Sequence, residues 1–291
     1  MTSKKLWYAA AAALCEPPDA AHTVAGVCRT LGWTRDAFYK RQRRGAADAA
    51  TDPVVLDTVD ALRRVQPRVG TRKLHEALTA AGVAVGRDHR FTVLRTTGRL
   101  VPRKRRATQT TYARHQYAVA ENLVKTRTVS APRQVVVSDI TYLRLAHGVF
   151  AYLFLVTDLY ARHIVGWHLR DDLSHHGALA ALDAAQQTLG DCAGIVHHSD
   201  RGSQYCCHAY LRQLQTLRML PSMTDGAHCY QNAVAERVNG ILKDEFNLDA
   251  SFPSMADARA AVAHAVHIYN TVRTHWSLAL QTPHTVFHQA A

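Results

Sequence analysis

The chain has 291 residues, 47% hydrophobic and 20% charged, enough for two or three small domains with real cores. It contains no apolar run of about 18 residues to span a membrane, and its six cysteines (Cys15, Cys28, Cys192, Cys206, Cys207, Cys229) form no C-x-x-C pair, which argues against a zinc knuckle or disulfide framework and fits a reducing cytoplasm. The net charge of +12 is uneven: residues 1–127 hold 24 Lys/Arg against 10 Asp/Glu, and residues 128–291 hold 11 against 13, so the N-terminal part is the one suited to a polyanion such as nucleic acid.

Lys4-Lys5 followed by Leu6 to Leu14 has the outline of a short signal peptide. Its apolar part is mostly alanine with Trp7 and Tyr8, and no cleavage site precedes Glu16-Pro17-Pro18, so the segment reads as an N-terminal helix. In residues 20–45, Val24, Val27, Cys28 and Leu31 recur at helical spacing, Gly32 breaks the run, and Thr34 caps a second helix through Phe38 and Tyr39. Arg35, Lys40, Arg41, Arg43 and Arg44 cluster on and after that second helix, the arrangement of a helix-turn-helix with a basic helix presented to DNA.

A second helical unit is expected from Asp52-Pro53, with Val55, Leu56, Val59, Leu62 and Val65 along one helix and Pro67 ending it. Gly70-Thr71 opens another helix carrying Arg72, Lys73, Leu74 and Leu78, and Arg87 to Thr97 makes a third. Arg103-Lys104-Arg105-Arg106 then leads into a Thr-rich linker. Basic runs are by default solvated surface, but here they decorate two consecutive helical units, which favours phosphate contact.

From about residue 133 the texture changes. Gln134–Leu145, Phe150–Thr157 and Arg162–Leu169 read as three strands, with Gly148 turning the first pair. A helix from Ser174 to Leu189, a strand Ile195–His198, a helix around Ala209–Leu217, a strand near Met219–Met223 and a helix from about Asn232 to Phe246 follow. Met255 to Thr274 is a last long helix. Three antiparallel strands and then alternating helix and strand give an α/β class, with an RNase H-like catalytic core (a mixed five-stranded sheet with helices) preceded by small all-α helix-turn-helix units. The expected organisation is 1–50 and 51–107 for the two helical units, 108–130 for the linker, 131–250 for the core, and 251–291 for the C-terminal helix and tail.

Three carboxylates stand out. Asp139 lies mid-strand among Val135, Val136, Val137 and Ile140, where an ionised group is costly unless something positive holds it. Asp200 follows a strand end and precedes Arg201-Gly202, where a loop can expose it. On the late helix, Asn232, Glu236, Asn239, Gly240 and Lys243 fall within an arc of roughly 100°, opposite Val234, Val238, Ile241 and Leu242. Hard divalent ions take oxygen ligands and keep several waters, so a few carboxylates plus substrate phosphates complete their shell. Singly, each acid is more often a satisfied core group or a solvated one; together, on strand, strand end and helix, they read as a metal site. Asp158 reads better as turn chemistry. His197-His198, adjacent on a strand, point to opposite faces and cannot easily share an ion.

Ser138-Asp139-Ile140-Thr141-Tyr142, Asp158-Leu159-Tyr160-Ala161-Arg162, Ile164-Val165-Gly166-Trp167, His198 to Tyr205, Ser222-Met223-Thr224 and Tyr230 to Arg237 resemble the downstream-frame (OrfB) transposases of the insertion-sequence-three family, relatives of retroviral integrase. Thirty-five residues separate Asp200 from Glu236, the D,D-35-E spacing of that family, and Tyr269 to Leu278 with Thr282-Pro283 is similar to its C-terminal signature. Pro67 to Leu74 and Val85 to Asp88 resemble the helix-turn-helix segment that precedes its integrase core. The resemblance implies a DDE-type transposase in which Asp139, Asp200 and Glu236 are the catalytic, metal-binding triad, holding two Mg²⁺ (or Mn²⁺) ions. It implies end cleavage to free a 3′-OH, and attack of that hydroxyl on another phosphodiester.

DNA contacts are expected at Arg41, Arg43, Arg44, Arg72, Lys73, Arg87, Arg103, Lys104, Arg105 and Arg106, with Asn232 and Lys243 contacting DNA or supporting Glu236. The implied partners are element terminal repeats and target DNA, further copies of the chain on paired ends, and an upstream-frame fusion partner without which the chain binds ends weakly. The implied location is a bacterial cytoplasm, at the nucleoid. The rival readings are a catalytically silent regulator with the same fold, which a lost triad carboxylate would betray and none is lost, and a hydrolytic metal-dependent nuclease, which strand joining would distinguish.

Overall fold

The computed structural model describes residues 8, 10–15, 22–102, 119–225 and 232–289. The Arg103–Arg106 run therefore lies outside the described residues, as do Tyr230 and Gln231. The chain divides into two compact units, one of residues 1–62 and 70–101 and one of residues 63–69 and 102–291.

In the first unit, helix α1 (Val24–Leu31) starts where the Thr23 side chain accepts from Gly26 N, and it stops at Gly32, whose φ of 66° is the left-handed conformation glycine adopts at low cost. Val27, Cys28 and Phe38 are buried around Ala11, and the Tyr8 hydroxyl donates to the Phe38 carbonyl at 2.8 Å. The expectation of a fresh helix start at Asp52-Pro53 is corrected: α2 runs unbroken from Arg35 to Val65 with Pro53 inside it. Proline removes one intrahelical hydrogen bond and crowds the preceding turn. Two features offset that cost. The preceding turns are rich in alanine, the strongest helix former, and His89 bridges Asp48 (3.5 Å) and Asp52 (2.6 Å), bracing the turn just before the proline. Helices α3 (Thr71–Ala80) and α4 (Arg87–Thr96) complete the unit. Val55, Val59, Leu74, Leu78 and Leu94 are fully buried in it, and Arg99 forks onto Asp60 at 2.9 and 2.8 Å.

The second unit is built on one mixed sheet. Strands β1 (Val135–Leu145), β2 (Phe150–Asp158) and β3 (Ile164–Arg170) form an antiparallel meander, and β4 (Val196–Ser199) and β5 (Leu220–Met223) add in parallel, giving the order β3-β2-β1-β4-β5. The five expected strands are all present. A sixth, β6 (Ser251–Phe252), has no sequence signal at two residues long and pairs in parallel with the far end of β1.

Alternation along the strands loads both faces. Val136, Phe154 and Val156 pack with Ala178, Ala181, Leu182 and Ala185 of α5 (His175–Leu189), and with Tyr210 and Leu214 of α7 (His208–Thr216), which follows the short α6 (Ser203–Cys206). Leu143, Leu153, Leu155 and Leu169 pack on the other face with Val238, Ile241 and Leu242 of α8 (Ala233–Glu245), and with Val262, Val266 and Tyr269 of α9 (Met255–Thr271). The last helix, α10 (Pro283–Gln289), buries Phe287 in the first of these clusters.

The register leaves one gap that matters. On the edge of β1 away from β2, β4 pairs only as far as Ser138↔Ser199, and β6 joins only at Arg144↔Ser251. Between them, residues 139–143 have no strand neighbour on that side among the described residues. A parallel strand that stops short beside a longer one opens a crevice at its carboxyl end, the place where open α/β sheets bind ligands.

Candidate active site

Asp139 is the first residue of β1 past the last β4 pairing, and Asp200 is the first residue after β4 ends. Sheet topology therefore puts both at the mouth of the gap. Asp139 is half-buried; its Oδ2 accepts from Asn239 Nδ2 at 2.7 Å and its Oδ1 from Ile140 N at 2.9 Å. Asp200 turns its Oδ1 back onto Gly202 N at 2.9 Å, in a turn so tight that a Cβ on Gly202 would stand 3.0 Å from that same oxygen. Glu236 is exposed in the first turn of α8.

The three acids are close enough to act on one another. Burial, then the charge of Asp200, push Asp139 up to about 7 against the pull of Asn239 and Ile140 N, and Glu236 adds to the rise. Burial and then Asp200 also raise Glu236. Lys243, two turns past Glu236 on the same face of α8, is lowered by burial while Asp139 holds it up, and its Nζ sits 4.3 Å from the centroid of the Tyr142 ring.

The polar arc of α8 is thus turned toward the gap, but its members differ in use. Asn232 is 3% exposed and its Nδ2 donates to the Ser138 carbonyl at 3.0 Å, clipping the start of α8 to the residue before Asp139. Of the two roles expected for Asn232, contacting DNA or supporting Glu236, this bond belongs with the second, because it ties the amide nitrogen to the backbone of β1 inside the protein. Asn239, to which the sequence assigned no role beyond its place on the arc, makes the direct bond to Asp139.

Of the other sequence-selected groups, Asp158 is fully buried and accepts from Arg133 N and Ala161 N, both at 2.7 Å, which is turn chemistry as expected. His197 and His198 diverge. His197 Nε2 meets the Ser138 and Tyr210 hydroxyls, both at 2.8 Å, whereas His198 Nδ1 meets Ser222 Oγ at 2.9 Å. Arg41, Arg43 and Arg44 are exposed on α2, Arg72 and Lys73 lie in the first turn of α3, and Arg87 opens α4 beside Asp88.

A hard divalent cation fits the donor set. Asp200 raises the proton affinity of both Asp139 and Glu236, and a positive charge placed among the three would relieve that repulsion. Asn239 Oδ1, beside Asp139, is buried with no protein partner, a ready acceptor for a bound water. Among the described residues no group of three His, Cys, Asp or Glu side chains is already placed to hold a metal ion. Mg²⁺ does not require an all-protein cage, since it keeps waters and takes substrate phosphate oxygens.

Two models of the integrase core domain match the chain, one over residues 129–229 and one over residues 217–283. The 31 kDa protein of insertion element IS600 from Shigella sonnei is 32% identical over 262 residues, covering 88% of this chain and 96% of that one. Transposase InsF for insertion sequence IS3A of Escherichia coli (strain K12) is 31% identical over 269 residues, 89% of this chain and 92% of its own. A putative transposase for the element IS986/IS6110 of Mycobacterium tuberculosis is 32% identical over 208 residues, 69% and 74% of the two chains. Among solved structures, the HTLV-2 integrase catalytic core domain in complex with magnesium aligns with a TM-score of 0.44 at 16% identity, over 54% of this chain and 98% of that one.

The sheet order and the two domain matches define an RNase H-like integrase core, the fold of enzymes that cut and join DNA strands. With relatives of this identity over nearly its whole length, the chain belongs to the insertion-sequence-three (IS3) family of transposases, and is a DNA transposase of the DDE type.

Proposed function

We propose that Asp139, Asp200 and Glu236 are the catalytic acids and together hold Mg²⁺ or Mn²⁺, two ions per site, and that the chain uses them to free a 3′-OH at the ends of its element and join it to another phosphodiester. What supports this is that three acids from three separate elements lie near enough to act on one another electrostatically, two of them beside the stretch of β1 that neither β4 nor β6 covers. Ions bound there supply Lewis-acid activation of the attacking oxygen and stabilisation of the leaving one. The protein's part is placement. Asn239 and Ile140 N fix the Asp139 carboxylate, Gly202 N fixes Asp200, and the Asn232 clip sets where α8 carries Glu236.

The core holds more acid than base, so phosphate attraction falls to the basic N-terminal part. Arg41, Arg43 and Arg44 supply an exposed cationic face on α2. Arg72, Lys73 and Arg87 stand in the first turns of helices whose N-termini have no side-chain cap, where backbone N–H groups favour an anion. Arg103, Lys104, Arg105 and Arg106 extend the charge, and Lys243 serves the strand held at the acids. Two element ends require at least two copies of the chain, and an upstream-frame segment fused to it supplies tight end recognition at the nucleoid.

The test is Mg²⁺- or Mn²⁺-dependent joining of a labelled element-end DNA to a plasmid by the parent and by Glu236→Gln. Joining by the parent that vanishes in the variant supports both the activity and the triad. Metal-dependent cutting without a joined product points instead to a nuclease, and binding without cutting to a silent regulator.

A further inference from the structure

We propose that Tyr142 and Phe150, flanked by Lys243 and Arg144, form a stacking site for an unpaired nucleobase of the DNA strand held at the three acids. The proposal rests on the catalytic reading above and adds to it a second point of hold on the substrate.

Position comes first. Tyr142 lies three residues past Asp139 on β1, about 10 Å along the strand, an odd step that turns its side chain to the other face of the sheet, and it lies within the stretch that neither β4 nor β6 covers. Its ring meets that of Phe150 edge to face, with centroids 5.3 Å apart and planes at 84°. Lys243 Nζ sits 4.3 Å from the Tyr142 centroid, on the helix that also carries Glu236. Phe150 is directly opposite the exposed Arg144 in the β1–β2 register. Lys243, which feels the charge of Asp139, thus reaches the Tyr142 ring at the uncovered edge of β1, and Arg144 leads from Phe150 to open surface.

The two aromatics are also surplus to the fold. Neither belongs to the apolar clusters on the two faces of the sheet. Phe150 is 39% exposed at the first position of β2, next to Val149 at 52%. Isolated exposed apolar residues need no explanation, but a geometrically paired set beside a candidate active site does.

The bracketing charges choose the occupant. A purely apolar partner would have to strip water from the exposed Arg144 with nothing to replace it. A nucleotide offers a π-face to the rings and a phosphate to the cations, the combination by which single strands are held irrespective of sequence. In a duplex the base faces are already stacked on one another, so the site takes a base that is unpaired, as at a frayed or single-stranded end.

The experiment uses the full chain at one fixed salt concentration, with two DNA probes of equal length: a blunt duplex, and a duplex with a short 3′ overhang carrying 2-aminopurine. Stacking quenches the 2-aminopurine emission. The parent is expected to quench the overhang probe and to bind it more tightly than the blunt one. Phe150→Ala is expected to lose the quench and about tenfold in overhang affinity, with blunt-duplex affinity unchanged, and Phe150→Trp to restore both. Phe150→Leu, which keeps apolar surface without a π-face, is expected to behave like the alanine variant. Quench and affinity unchanged in Phe150→Ala, in a chain whose parent joins DNA in Mg²⁺, would overturn the stacking site alone. A parent that binds neither probe and joins nothing would overturn the catalytic reading and the stacking site with it.

Discussion

Asn239 Nδ2 donates to Asp139 Oδ2 at 2.7 Å across 100 residues of sequence, so the helix that presents Glu236 also orients the first acid. Asn239 is 6% exposed, and its free Oδ1 has no protein partner. Asn239→Asp exchanges the donor for a fourth carboxylate beside Asp139, Asp200 and Glu236. Groups that orient metal ligands typically change affinity or activity 10–100-fold when replaced. The expected result is a fall of that size in joining at low Mg²⁺, partly recovered at high Mg²⁺, with unfolding little changed. Joining that is equal to the parent at every Mg²⁺ concentration would remove Asn239 from the site.

What the sequence disclosed follows from how local each signal is. Asp139 is conspicuous because an acid amid valines has no local justification, and Glu236 because helical periodicity sorts its neighbours into two faces. Five strands show their β-branched texture, whereas β6, with two residues, carries no periodicity at all. Pro53 misleads because its local rule is sound but is outweighed by an alanine-rich run and by His89, which lies 37 residues from Asp52. Asn232 shares the Glu236 face, and nothing local shows that its Nδ2 donates to the Ser138 carbonyl. The gap in the sheet is a matter of register between strands distant in sequence, so the reason the acids meet there is invisible before the fold is known.

Two glycines give opposite expectations. A Cβ on Gly166 would stand 2.3 Å from the Ala181 carbonyl oxygen and 2.5 Å from Ala185 N, so α5 rests directly on β3 at that point. The contacting atoms are backbone and cannot swing away. Gly166→Ala is expected to cost about 1–3 kcal/mol or more. Gly45, exposed inside α2, has nothing within 4 Å of its would-be Cβ, and Gly45→Ala is expected to stabilise by roughly 0.5–1 kcal/mol. Chemical denaturation of both variants checks the pair; equal midpoints would contradict the close helix-on-strand packing.

Acid sensitivity follows from two histidines buried in the neutral form. Burial first, then the charge of His284, His288 and Arg133, push His163 down to about 3, and burial then His198 do the same for His197. In the unfolded chain each titrates near 6.5. Below that pH the unfolded state takes up protons that the folded state refuses, so the stabilisation is complete above about 6.5 and is lost as pH falls toward 3. Between pH 7 and pH 5 the loss is about 2 kcal/mol for each histidine. His163 lies flat on Phe287, with centroids 4.6 Å apart and planes at 12°, and its Nδ1 is buried without a partner. His163→Phe keeps the stacked surface and removes the titrating group. Its urea midpoint is expected to fall less than the parent's between pH 7 and pH 5. An unchanged pH slope would show that His163 is not held neutral.

The C-terminal signature owes its form to the back of the site. The Tyr269 hydroxyl donates to the Arg162 carbonyl at 3.0 Å, and Asn270 accepts from Ile164 N at 2.9 Å and donates to its carbonyl at 3.0 Å, so α9 grips the start of β3 by its backbone. Arg273 forks onto Glu245, the last residue of α8, at 2.8 and 2.7 Å, with side chains only 4% and 18% exposed. Its Nη1 also meets His275 Nε2 at 2.7 Å. Removing one member of such a pair leaves a buried charge uncompensated, typically at a cost of 3–5 kcal/mol. Arg273→Met is therefore expected to destabilise the second unit by about that much, and Arg273→Lys, which keeps the charge but loses the fork, by less. In Arg273→Met with Glu245→Leu neither charge is stranded, so the double variant is expected to be more stable than Arg273→Met alone. A double-mutant cycle by chemical denaturation reads the coupling directly, and additive losses would mean that the fork does not anchor the end of α8.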